Sequence, residues 1–66
     1  ASHVIKGLHD YFMRQPKKLP EEYSARENEW GRKMIVTDYI AGLTDLYAVN
    51  LYQKLFIPSI WAGANR

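Results

Sequence analysis

Apolar residues recur along this chain at the three-to-four-residue spacing of a helix face, in three separate runs. In the first, Val4, Leu8, Tyr11 and Phe12 share one stripe, with Ile5 and Met13 at its flanks. That is the pattern of an amphipathic helix, and it predicts one over about residues 2–15. Pro16 ends it, because proline lacks an amide donor and disfavours helix in the residue before it. Gly7 lies in its middle and weakens it by about 1 kcal/mol relative to alanine, so this helix needs docking to persist. In the second run Val36, Tyr39, Ile40 and Leu43 fall at i, i+3, i+4 and i+7, predicting a helix over about 28–42. Asn28 suits its N-cap, and Gly31 blurs its start. Ala48, Leu51, Tyr52 and Leu55 repeat the same spacing and predict a third helix over about 44–56, limited by Pro58.

The connections follow from their residue types. Residues 16–27 carry Pro16 and Pro20 among Lys17, Lys18, Glu21 and Glu22 and read as a charged linker. Within it, Pro20-Glu21-Glu22 has the chemistry of a short helix start. Gly42 relaxes the backbone at the end of the second helix. Thr44 offers a side-chain oxygen to the first amides of the third, and Asp45 sits near that helix's positive end. Only Gly42 to Thr44 separate the two helices, so they are neighbours, joined by either a sharp corner or a helical hairpin. Residues 57–66 show no periodicity; Trp61 there either fills a groove in a neighbour or is frayed. The fold class expected is all-α, with three main helices and a proline-bounded linker in a single unit over residues 1–66.

Length changes this picture. A chain of 66 residues buries only about 60% of the surface its unfolded form exposes, near the limit of independent stability. It has no cysteine, hence no disulfide or thiolate metal site to brace it. With 47% hydrophobic and 14% aromatic residues it is nevertheless too apolar for a disordered tail. Such a chain wants a further surface to pack on. It opens at Ala1-Ser2-His3 without an initiator methionine, directly on an amphipathic pattern, and is expected to be part of a longer polypeptide. Nothing near Ala1 has the make-up of a signal peptide, and no apolar run approaches the roughly 20 residues that cross a bilayer. A cytoplasmic protein with no membrane association is expected.

Residues 38–48 read DYIAGLTDLYA. This run resembles the C-terminal segment of the deoxyguanosine triphosphate triphosphohydrolases of the HD phosphohydrolase superfamily, where a run close to DYIAGMTDRYA leads into a last amphipathic helix. The resemblance extends back through MRQPKKLP at residues 13–20 and on to Leu51-Tyr52-Gln53-Lys54-Leu55-Phe56. Leu43 stands where methionine is usual and conserves its bulk. Leu46 stands where arginine is common and removes a cation. The resemblance implies a C-terminal helical subdomain of an all-α enzyme that uses a divalent metal, Mg or Mn, to split a dNTP, typically dGTP, into deoxynucleoside and tripolyphosphate. It also implies homo-oligomers and packing against the remainder of the parent polypeptide. The family-motif positions here are Asp38, Tyr39, Gly42, Thr44, Asp45 and Tyr47, and the resemblance assigns none of them to catalysis.

His9-Asp10 is an HD dipeptide, but a superfamily metal site needs a further upstream histidine and a distant aspartate. His3, the other histidine, lies about 240° around the helix from His9, so the two do not converge on one ion. The pair reads as solvent-facing, and no metal or other cofactor is assigned to this chain. Asp38 and Asp45 flank the glycine; their structural tasks are a helix start for Asp45 and, for Asp38, a cation such as Arg32 or Lys33 nearby or a partner. The functional alternative is a nucleotide pocket in the parent. Of the five tyrosines, Tyr11, Tyr39 and Tyr52 have core spacing, whereas Tyr47 lies off its helix's stripe and is an interface candidate with Leu51, Tyr52, Leu55 and Trp61. The charge of +2 is modest, and acids interrupt the basic residues Lys17, Lys18, Arg26, Arg32 and Lys33. They read as a solvated face, with single-stranded nucleic acid a lesser alternative.

Two functional readings remain open at this point. One is the helical subdomain of a dNTP triphosphohydrolase, inactive alone and serving packing and oligomerisation. The other is a freestanding interaction module that grips a partner helix or groove with Leu51, Tyr52 and Leu55.

Overall fold

The computed structural model describes residues 2–56, and within them the chain is helical throughout, with short connections. Helix α1 spans Ser2–Arg14, α2 Glu21–Ser24, α3 Glu27–Trp30, α4 Arg32–Ala41 and α5 Asp45–Phe56, with a 3-10 turn at Pro16–Lys18 between α1 and α2. The all-α class is as expected. The helix α1 is the shared support: both α4 and α5 pack on it, while α2 and α3 pack on α4.

The stripes face inward. Leu8 and Phe12 of α1, Ile35, Val36 and Ile40 of α4, and Ala48 of α5 are buried, and Val4, Tyr11, Tyr39, Leu43, Leu51, Tyr52 and Leu55 pack half-buried around them. Leu19 completes this core from the connection. Edge-on aromatic contacts run through the cluster. Tyr11 meets Phe12 and Phe56 at 5.1 and 5.8 Å, Phe12 meets Tyr39 at 5.4 Å, and Tyr39 meets Tyr23 at 5.2 Å between ring centres. These are separations at which ring pairs attract beyond their buried area.

The supposed linker is largely helical. Pro16 opens the 3-10 turn, in which Leu19 donates its amide to the Pro16 carbonyl at 3.1 Å. Pro20 stands just before α2 and accepts the amides of Tyr23 and Ser24 at 2.9 and 3.1 Å. A proline can lead a helix because the first amides have no intrahelical acceptor in any case.

The predicted helix over 28–42 is interrupted. Asn28 lies inside α3 rather than capping it, and Gly31 separates α3 from α4 with φ 90° and ψ 148°. That backbone region is open essentially to glycine alone. Arg32 secures the corner. Its Nε donates to Glu27 Oε2 at 2.7 Å and another guanidinium nitrogen to the Met13 carbonyl at 3.2 Å, joining α3, α4 and the end of α1. A cation there also meets the negative end of α1.

Gly7 has a use that its position in a helix conceals. A Cβ built on it would stand 2.6 Å from Cε1 of Tyr52, so its bare backbone lets α5 approach α1. The Tyr52 ring packs against Phe56 with ring centres 4.6 Å apart, so a methyl group at position 7 would have to displace a ring that belongs to the α1–α5 contact.

Two outcomes are expected in thermal unfolding followed by circular dichroism. Gly31→Ala destabilises by about 1–3 kcal/mol, the cost of that backbone conformation for a side-chain-bearing residue. Gly7→Ala lowers the melting temperature although alanine is the better helix former by about 1 kcal/mol, and turns stabilising in a Tyr52→Ala background. Additive effects of Gly7→Ala and Tyr52→Ala would show that the two positions do not interact.

Candidate functional site

The stretch Asp38 to Ala48 forms the corner between α4 and α5, and its residues divide by the direction in which they point. Ile40 and Ala48 are buried, and Tyr39 and Leu43 are half-buried on the core. Gly42 follows α4 with φ −88° and ψ −3°, an ordinary right-handed conformation, and donates its amide to the Tyr39 carbonyl at 3.2 Å. It therefore does not draw on glycine's freedom, unlike Gly31. Thr44 Oγ1 accepts the Tyr47 amide at 3.1 Å, which is N-cap geometry, and Asp45 occupies the first turn of α5. Asp38, Asp45, Leu46 and Tyr47 are exposed.

The two carboxylates do not share a site. Asp38 stands on the rim of a half-open pocket of about 180 Å³ with Glu22, Tyr23, Arg26, Trp30 and Ile35. Asp45 instead borders a groove with Val4, Ile5, Ala48 and Val49. Nor does Asp38 find the cation expected from Arg32, which is engaged by Glu27 and Met13. Among the described residues the ion pair present is Arg32 with Glu27. The Asp38 pocket has a cation of its own: the Arg26 guanidinium lies 4.7 Å from the Trp30 ring centre. Arg26 as a stacking partner and Trp30 as a wall were missed at the sequence level, although their four-residue spacing is the signal for such a pair.

The histidines diverge. The His3 ring packs edge-on toward Tyr52 of α5, with centres 6.3 Å apart, whereas His9 Nε2 lies 3.5 Å from Thr37 Oγ1 of α4. They thus address different neighbours of α1, and no cluster of three or more metal-ligating side chains forms among the described residues. The donor set present does not fit a divalent metal site.

The fold shifts the ionisation of Tyr39. Burial pushes its phenol above the ordinary 10.0, and the neighbouring Tyr47 and Tyr23 phenols add to the rise. The expected interface residues Leu51, Tyr52 and Leu55 are half-buried against the chain's own core, while Tyr47 is 53% exposed. Trp61 lies outside the described residues.

Residues 1–54 match the family described as the phosphohydrolase-associated domain, and the chain belongs to that family. It is 40% identical over 65 residues to a deoxyguanosinetriphosphate triphosphohydrolase-like protein of Caldanaerobacter subterraneus subsp. tengcongensis, an alignment covering 98% of this chain and 19% of that protein. Similarly named proteins of Leptospira interrogans and Nitrosomonas europaea are 42% and 46% identical, over 79% and 85% of this chain and 14% and 15% of their own lengths. The chain thus spans less than a fifth of each relative. No solved structure matches.

Two measurements probe this corner. Thr44→Ala is expected to cost about 1 kcal/mol of stability through loss of the cap, read as a lowered denaturation midpoint, with Thr44→Ser retaining most of it. For Tyr39, the unfolded phenol releases its proton near pH 10.0 while the folded one holds it to higher pH. Its stabilising contribution is therefore complete below pH 10.0 and is lost as pH rises through the folded value. Melting curves at increasing pH are expected to show that loss, and Tyr39→Phe to make the dependence shallower.

Proposed function

We propose that this chain is the C-terminal helical subdomain of a metal-dependent dNTP triphosphohydrolase, in which it serves packing and assembly and leaves the chemistry to residues elsewhere in the polypeptide. The observation that carries the reading is membership of the phosphohydrolase-associated domain family over residues 1–54, with relatives named as deoxyguanosinetriphosphate triphosphohydrolase-like. The donor chemistry agrees with it: His3 and His9 face different helices, and Asp38 and Asp45 border different recesses. The substrate proposed for the whole polypeptide is dGTP and the products are deoxyguanosine and tripolyphosphate. Magnesium or manganese would be bound by side chains outside this segment. A cytoplasmic homo-oligomer is the proposed setting.

In the alternative of a freestanding gripping module, the face meant for the partner, Leu51, Tyr52 and Leu55, is half-buried against the chain's own core, which favours the first reading. Of the basic residues considered for nucleic acid, Arg26 lies over Trp30 and Arg32 is paired with Glu27, while Lys17, Lys18 and Lys33 are exposed.

The test is hydrolysis by the gene product that carries this segment, with dGTP and either Mg or Mn, following deoxyguanosine and tripolyphosphate by chromatography. The expected result is metal-dependent release of both products by the whole polypeptide and none by the 66-residue segment. Deleting the segment is expected to remove most of the activity together with the native oligomer. A polypeptide that releases pyrophosphate or orthophosphate from dGTP, or leaves it intact, overturns the reading.

A further inference from the structure

At one end of the α1–α5 contact the described residues leave an apolar recess uncovered. Val4 and Ile5 of α1 and Ala48 and Val49 of α5 line a half-open groove of about 190 Å³, with Asp45 at its rim. Ala48 is buried at 4% exposure, while Ile5 and Val49 remain 41% and 39% exposed. Leu46, three residues before Val49 and therefore on an adjoining part of the same helix surface, extends this apolar area at 72% exposure. Asp45, the one charged residue lining the groove, sits in the first turn of α5, where the positive end of the helix already favours it. The chemistry of the recess thus calls for apolar side chains. It contrasts with the Asp38 pocket, which carries Glu22, Arg26 and Asp38.

We propose that this α1–α5 recess, with Leu46 at its margin, is the docking surface for an apolar segment of the same longer polypeptide. The proposal rests on the reading of the chain as part of a triphosphohydrolase-type protein. The length relation selects this occupant. The segment spans 14–19% of the relatives' lengths, so more than four-fifths of such a polypeptide lies outside the described fold. A tethered segment meets the recess at a high effective concentration and avoids most of the rigid-body entropy loss that a separate molecule incurs. An amphipathic helix presenting one or two aliphatic side chains to Ala48, Val49 and Ile5 fits the form of the groove.

The experiment uses the whole gene product, with any native cysteines replaced, carrying Val49→Cys or Leu46→Cys one at a time. Each variant is first shown to retain the helical signal and melting behaviour of the parent. Its maleimide reaction rate is then compared between native buffer and urea, at protein concentrations above and below those at which the oligomer dissociates. The proposal expects labelling at both positions to be at least about tenfold slower in the native protein, independent of dilution, as for a surface covered within one chain. A smaller ratio at either position overturns it. Protection lost on dilution overturns it too and gives the recess to a second copy. Hydrolysis of dGTP by the same polypeptide is scored separately, so failure of the enzymatic reading and failure of the docking surface are told apart.

Discussion

The packing of α1 between α4 and α5 is the contact on which the rest of this small fold depends. On one side, Phe12 meets Tyr39 of α4 edge-on and His9 lies beside Thr37. On the other, Gly7 admits the Tyr52 ring of α5, and Tyr11 meets Phe56. A single helix thus supplies both halves of the core, and Leu8 and Phe12, at 0% and 3% exposure, lie at its centre. The entropy of ordering short helices is large, and helices of this length are marginal in water unless an apolar face is docked. A side chain at position 7 bears on the α1–α5 contact directly, whereas the exposed Asp38 can change without disturbing it.

The same dependence explains which features were legible in the sequence. The stripes of α1, α4 and α5 were visible because each presents apolar residues to a neighbour at helical period, and packing retained what periodicity proposed. The break at Gly31 was not visible. Helical residues flank it on both sides, and period alone does not report a reversal of φ; the glycine was the local clue, read as a blurred start instead of a corner. The linker concealed Leu19 for a related reason: one apolar residue among prolines and charges has no period, yet the 3-10 turn carries it into the core. The function of Gly7 was equally hidden, since its partner Tyr52 lies 45 residues away in sequence and only the folded chain brings them together.

The candidate site was legible in part. The cap chemistry of Thr44 and Asp45 is local, encoded within four residues, and the structure places both where local rules put them. The surroundings of Asp38 are tertiary. Arg32 was the nearer cation in sequence, but the corner at Gly31 directs its guanidinium to Glu27 and to the end of α1. Arg26 and Trp30 come to the Asp38 pocket from α3 and the turn before it, an arrangement that depends on the missed break.

The eleven residues from Asp38 to Ala48 can then be divided by what holds them. Tyr39, Ile40, Leu43 and Ala48 face the core, with the Tyr39 ring set between Phe12 and Tyr23, and Thr44 caps α5. These positions build the corner, and folding alone accounts for their residue types. Asp38 and Leu46 make no comparable demand on the chain's own fold, and Tyr47, whose phenol neighbours that of Tyr39, is still 53% exposed. They stand on its surface at different points around the α4–α5 corner. An exposed leucine at the margin of the apolar groove, and an exposed tyrosine on another side of α5 beside Asn50 and Lys54, are poorly matched to water but well matched to a protein surface. The motif therefore joins two tasks in one short stretch: its inward residues fix the corner between two helices, and that corner sets where its outward residues stand on the surface.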